Sequence, residues 1–91
     1  MSAVASPIKP RIGAGFRLQW EPAQDCHVLL YPEGMVKLNP SAGQILLRCN
    51  GERTIEAIVS DLETAFNAKD LEPEVVSFVE IARKQRWLTW E

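Results

Sequence analysis

The sequence predicts an α+β domain in which a three-stranded antiparallel sheet precedes three helices. Three observations predict it. Apolar residues alternate with period two through Phe16–Trp20 and again through His27–Leu38, the pattern of half-buried strands. A Pro32-Glu33-Gly34 turn divides the second run into a hairpin. Beyond Asn39 the apolar spacing changes to three and four residues in three successive blocks, as amphipathic helices require.

Residues 1–14 carry Pro7, Pro10 and Gly13 among small residues, with Gly15 close behind. They are expected to form a flexible tail, leaving 15–91 as the domain. In the first strand Phe16, Leu18 and Trp20 share an apolar face, and Glu21–Asp25 with Pro22 is a loop. In the hairpin His27, Leu29 and Tyr31 point one way, Val28 and Leu30 the other. Pro32 presets φ for the first central turn position, and Gly34 can take positive φ at the turn's exit. Val36 and Leu38 then share one face, Met35 and Lys37 the opposite one.

Asn39 is a good N-cap and Pro40 suits the first helical position. Ala42, Ile45, Leu46 and Cys49 form the stripe of the first helix, which Asn50-Gly51 is expected to end. Thr54 caps the second, whose stripe is Ile55, Ile58, Val59, Leu62 and Phe66. Pro73 opens the third, with Glu72 and Glu74 at its positive end and Arg83, Lys84 and Arg86 toward its negative end. Leu71, Val75, Phe78, Val79 and Ala82 lie within an arc of about 100° at ~100° per residue, marking its core face. Val76 flanks that face on one side, Ile81 and Leu88 on the other. Trp87–Trp90 closes the chain, partly helix end and partly extended. A small sheet packed on three helices is winged-helix-like, with the sheet placed early.

Composition narrows the function. The chain has 91 residues, 46% of them aliphatic or aromatic and 24% charged, enough for one small domain with a modest core. Its net charge is −2, with 12 acidic and 10 basic residues, unlike the positive face of a nucleic-acid binder. No apolar run spans a bilayer, and the N-terminus lacks a secretory h-region. Cys26 and Cys49 fit reduced thiols of a cytosolic protein. With one histidine, His27, there is no catalytic triad, and neither a metal-ligand spacing nor a cofactor fingerprint is present. Cys26 and His27 adjoin on a strand and so point to opposite faces. The carboxylates Glu52, Glu56, Asp61 and Glu63 read as a solvated surface. Arg83, Lys84 and Arg86 complement the helix dipole or contact DNA, the acidic balance favouring the former. Trp20, Trp87 and Trp90 suit packing or a partner groove. The expectation is a protein without catalytic residues, cofactor or metal of its own.

The stretch with most functional content is the third strand. In a meander it is an edge, with unpaired backbone groups along Gly34–Leu38. If the third helix lies beside it, an extended peptide could add there as a fourth strand. Lys37 and Arg83 would then meet acidic peptide side chains. A short edge protected by Lys37 explains the same residues without a ligand.

Val28-Leu29-Leu30-Tyr31-Pro32-Glu33-Gly34, Val36-x-Leu38-Asn39, Ile45-Leu46, Cys49-x-Gly51 and the Thr54–Leu62 helix together resemble the PqqD family of small pyrroloquinoline quinone biosynthesis proteins. The likeness runs from about residue 16 to 90, with Asn50 where an Asp is expected. It implies a cytoplasmic peptide chaperone that binds the precursor peptide PqqA by strand addition and presents it to the radical S-adenosylmethionine enzyme PqqE. Carried onto this chain, the implied peptide-binding residues are Met35, Val36, Lys37, Leu38, Val75, Val76, Val79 and Arg83. Ile81 replaces Val76 if the groove lies on the other flank. The alternative is a winged-helix DNA-binding module. A free edge or a mobile N-terminal arm would also permit a homodimer, including a swapped one.

Overall fold

The computed structural model describes residues 8–90. Its elements run β1 (Arg11–Ile12), β2 (Arg17–Glu21), β3 (Cys26–Tyr31), β4 (Gly34–Lys37), α1 (Pro40–Leu47), α2 (Ile55–Ala65), α3 (Glu72–Lys84) and β5 (Leu88–Thr89). Strands β2, β3 and β4 form the expected antiparallel meander, with β3 in the centre. Leu29 lies opposite Leu18 on one side and Val36 on the other. The hairpin closes through a Tyr31–Gly34 pair, and Gly34 leaves the turn at φ +154°. A side chain is strained at that angle. Phe16 and Tyr31 pack at 5.6 Å between ring centroids. Trp20 shares the face of Leu18, as expected, but is 48% exposed and meets His27 edge-on. It lies at the open margin of β2, where no further strand covers it.

Three helices close over the inward face of the sheet. Asn39 accepts a bond from the Ala42 N–H at 2.7 Å and Thr54 one from the Ala57 N–H at 3.1 Å. Each satisfies a backbone donor that has no partner within its helix. The predicted stripes converge on one core: Leu29 and Leu38 from the hairpin, Ile45 and Leu46 from α1, Ile55 and Ile58 from α2, Val75 and Val79 from α3. Each fully buried aliphatic side chain stabilises by about 1.5–3 kcal/mol relative to exposure. Phe66 falls outside this core at 54% exposed. Arg48, the C-cap of α1, joins the first two helices. It donates to Gln44 and, through Nε, to Asp61 of α2, and its guanidinium lies over the Phe66 ring. Arg53 adds a second contact at 3.4 Å, and the Arg48 hydrogen bond holds the exposed Asp61 carboxyl below its ordinary range.

The expected tail divides. Residues 1–7 lie outside the described residues, as does Glu91. Residues 8–14 do not hang free: Arg11 pairs with Thr89 and Ile12 with Leu88 in a small second sheet. Pro10 is fully buried, and its carbonyl accepts from the Gly51 N–H at 2.9 Å. Asn50, expected as part of a helix cap, instead bridges to Arg11, and α1 ends earlier, at Leu47. Pairing with distant backbone, which local composition does not report, supplies the order that this Pro- and Gly-containing stretch lacks by itself. Gly13 is buried against the Arg86 carbonyl, and a Cβ there would lie within 2.3 Å of that oxygen.

Two outcomes are expected. Asn39→Ala lowers stability by about 1 kcal/mol, read as a midpoint shift in urea, whereas Asn39→Asp stays close to the parent. Gly13→Ala parts β1 from β5, so the Gly13 amide, now bonded to the Trp87 carbonyl, loses hydrogen-exchange protection while the α2 amides keep theirs.

Candidate functional site

Among the described residues the sheet order leaves β4 with one neighbour and one open side. Its register decides which backbone groups face outward. The Leu38 N–H donates to the His27 carbonyl at 3.0 Å. Alternation along an antiparallel ladder then makes Val36–Leu29 and Gly34–Tyr31 the further hydrogen-bonded pairs. Met35 and Lys37, opposite Leu30 and Val28, therefore turn their N–H and C=O groups to the open edge. Their side chains are exposed on the sheet face away from the core, Met35 at 47%. Val36 points inward and is half-buried against the core.

The eight residues suggested by the sequence do not form one surface. Leu38, Val75 and Val79 are buried within the core. Met35, Val36 and Lys37 make up the strand edge. Val76 and Arg83 lie on one flank of α3, while Glu74, Phe78 and Ile81 lie on the other at ~100° per residue. The surroundings of α3 show which flank is which. Glu72, on the Val76 flank, borders α2 beside Val59 and Glu63. Arg83, on the same flank, borders β1 and β5. Glu74 and Val75 instead border Pro40, Ser41, Gln44 and Ile45, the first turns of α1 directly after β4.

That last border encloses a hollow of about 290 Å³, with a mostly apolar lining that Leu62, Phe66, Ala68 and Leu71 complete. Asn39 caps α1 at its rim, and the Glu63 carboxylate, accepting from the Leu71 N–H at 3.0 Å, ties down the loop into α3. Ile81 is 52% exposed on the flank that Glu74 shares with this hollow. The hollow was beyond sequence reasoning because its lining comes from all three helices. The one available signal was Phe66, an aromatic at the end of its stripe and just past the last helical turn.

The chemistry of the remaining polar groups is structural. Cys49 is buried, donates to the Ile45 carbonyl at 3.2 Å, and has its thiol pushed up to about 12 by burial. It is therefore a protonated thiol at neutral pH and a poor nucleophile. Because its folded-state value is raised, its contribution is complete below the ordinary thiol range and is lost as pH rises toward about 12. Among the described residues no group of three or more His, Cys, Asp or Glu could hold a metal ion. No described helix is long and apolar enough to cross a membrane.

Comparison with known proteins places this geometry. The family model described as coenzyme PQQ synthesis protein D (PqqD) matches residues 26–88. The chain belongs to the PqqD family. It is 55% identical over 80 residues to the PqqA binding protein of Azotobacter vinelandii, with 87% of both chains covered. It is 47% identical over 89 residues to the PqqA binding protein of Stutzerimonas stutzeri, with 97% of both covered. Its fold matches the solution NMR structure of the PqqD truncation of Methylobacterium extorquens PqqCD at a TM-score of 0.76 and 27% identity, over 93% and 92% of the two chains. That protein is described as a functional, stand-alone RiPP recognition element. The heterocyclase TruD contains a similar unit, at a TM-score of 0.70 and 26% identity, over 93% of this chain and 12% of that one. The winged-helix-like fold expected from the sequence is thus the fold of this PqqD-family chain.

Alkylation tests the cysteine assignment. In the native protein at pH 8, iodoacetamide is expected to modify the half-buried Cys26 and spare Cys49. Denaturant should expose both, as intact mass would show.

Proposed function

We propose that this PqqD-family chain binds the precursor peptide PqqA as a fourth strand along β4 and presents it to the radical S-adenosylmethionine enzyme PqqE. In this reading it is a cytoplasmic peptide chaperone, and catalysis belongs to PqqE. The observation that carries the reading is the open edge at Met35 and Lys37, from which the chain runs through Leu38 and Asn39 into the first turn of α1, and that turn borders the apolar hollow against α3. Main-chain bonds hold an added strand with little demand on sequence, and apolar pockets set its register. The names of the curated relatives and the description of the Methylobacterium structure support a peptide ligand. The groove side of α3 is the flank of Glu74, Phe78 and Ile81, which adjoins the segment leaving β4. Val75, Val79 and Leu38 form the groove's floor, and Val76 and Arg83 face elsewhere.

The energetics suit a carrier. A few apolar anchors stabilise by ~1.5–3 kcal/mol each when buried, and each backbone bond adds ~0.5–1.5 kcal/mol. Ordering the peptide costs about 2–5 kcal/mol. A complex that can form and be handed on needs about micromolar affinity, near −8 kcal/mol. The duplex-binding alternative has less support, because the exposed positions of α3 include Glu72, Glu74 and Glu80, which repel phosphate.

The test is titration of the labelled protein with synthetic PqqA, followed by backbone amide shifts. Shifts concentrated on Met35, Lys37, Phe78 and Ile81 are expected. Lys37→Pro removes one outward donor without touching the β3 ladder and should weaken binding roughly threefold to tenfold. Saturable binding with unmoved β4 amides would discard strand addition, and absence of binding to PqqA alone or with PqqE would discard the chaperone role.

A further inference from the structure

The Arg83 flank of α3 lies outside the groove proposed for the peptide, and its charge is organised. A hollow between the end of α3 and the β1–β5 sheet is lined by Arg11, Arg83 and Arg86, and among the described residues no acidic one borders it. Among the described residues, ion pairs join only Arg48 and Arg53 to Asp61. Arg83 lies at the end of α3 and Arg86 just past it, and tertiary contacts bring Arg11 of β1 to them. The β1–β5 pairing sets Arg11 opposite Thr89. Gly13, pressed against the Arg86 carbonyl, closes the hollow's base, and its N–H donates to the Trp87 carbonyl at 2.8 Å. Arg86 takes φ +67°, an uncommon conformation for a residue with a Cβ. Arg83 is stacked over Trp90, its guanidinium carbon 4.4 Å from the ring centroid. Stacking occupies the face of a guanidinium and leaves its in-plane N–H groups for a carboxylate fork.

We propose that the Arg11–Arg83–Arg86 hollow is a second docking surface, which receives an acidic segment of a partner protein. A concentration of like charge without internal acids calls for an anionic occupant. The overall charge of −2 disfavours a polyanion as long as nucleic acid, whose flanking phosphates would meet net repulsion. A short run of Glu or Asp side chains matches three guanidinium groups without that penalty. The hollow lies on the opposite flank of α3 from the apolar hollow beside α1, so both can be filled at once. The assignment rests on the arginines and not on peptide capture at β4.

The probe is hexaglutamate, added to the labelled full chain, with hexaglutamine and hexalysine as controls. Arginine Nε–Hε and backbone amide signals of Arg11, Arg83 and Arg86 should shift with hexaglutamate alone, leaving Met35 and Lys37 unmoved. Binding should weaken severalfold as salt rises from about 0.05 to 0.3 M. Arg83→Gln/Arg86→Gln, whose side chains are exposed, should keep the parent melting temperature and bind roughly tenfold more weakly. Arg83→Lys/Arg86→Lys keeps the charge but loses the fork, and should recover only part of the affinity. Shifts spread evenly over Lys9, Arg17, Lys37 and Lys69 would overturn the proposal. So would no response at millimolar peptide, unchanged affinity in the Gln variant, or tighter binding of a short DNA duplex.

Discussion

β3 is hydrogen-bonded on both sides, and that single constraint shapes the molecule. A three-stranded sheet with an apolar centre must leave two edges, and here the meander makes β4 one of them. β3 needs this place because Val28 and Leu29 are both fully buried, which an edge strand with one covered face seldom achieves. With β3 occupied, the alternation of the ladder leaves every second residue of β4 facing outward. An open strand edge is a hazard for self-association. Here it is short, ends in the turn at Pro32-Glu33 and carries Lys37 on its solvent face.

α3 turns that edge into a site by having two usable flanks. Its buried stripe of Val75, Val79 and Ala82 locks the helix to the core, so neither flank is free to rotate. One flank adjoins the first turns of α1 at an apolar hollow. The other adjoins β1 and β5 and is ringed by arginine. The β1–β5 pair matters here, because it pins both ends of the domain and fixes the last turn of α3 with its cations. Separation of an apolar groove from a cationic hollow by one helix suits a protein that holds one molecule while meeting another.

The elements were legible because their determinants are local. Period-two alternation, the Pro-Gly hairpin turn, the Asn39 and Thr54 caps and the three helical stripes each depend on residues within a few positions of one another. The open edge was legible too, since a meander has a defined order. What escaped was non-local. Nothing near Arg11 announces that it will pair with Thr89, and the Pro- and Gly-containing run around it has the composition of a tail. Asn50-Gly51 has the form of a helix cap but is recruited into backbone bonds with Pro10 and Arg11. Trp20 and Phe66 belong to correct apolar patterns yet end them, where the core has run out.

The candidate site divides along the same line. The sequence by itself determined that β4 would be an edge, that Val75 and Val79 would face inward and that Val76 and Ile81 would lie on opposite flanks, because strand alternation and helical periodicity are properties of the local chain. Which neighbours border each flank, Glu74 beside the first turns of α1 and Arg83 with Arg11 and Arg86, was decided only by tertiary structure. Periodicity sets angles around one helix axis. It carries no information about which neighbour stands at each angle, and that depends on how all the buried stripes satisfy one another in a single core.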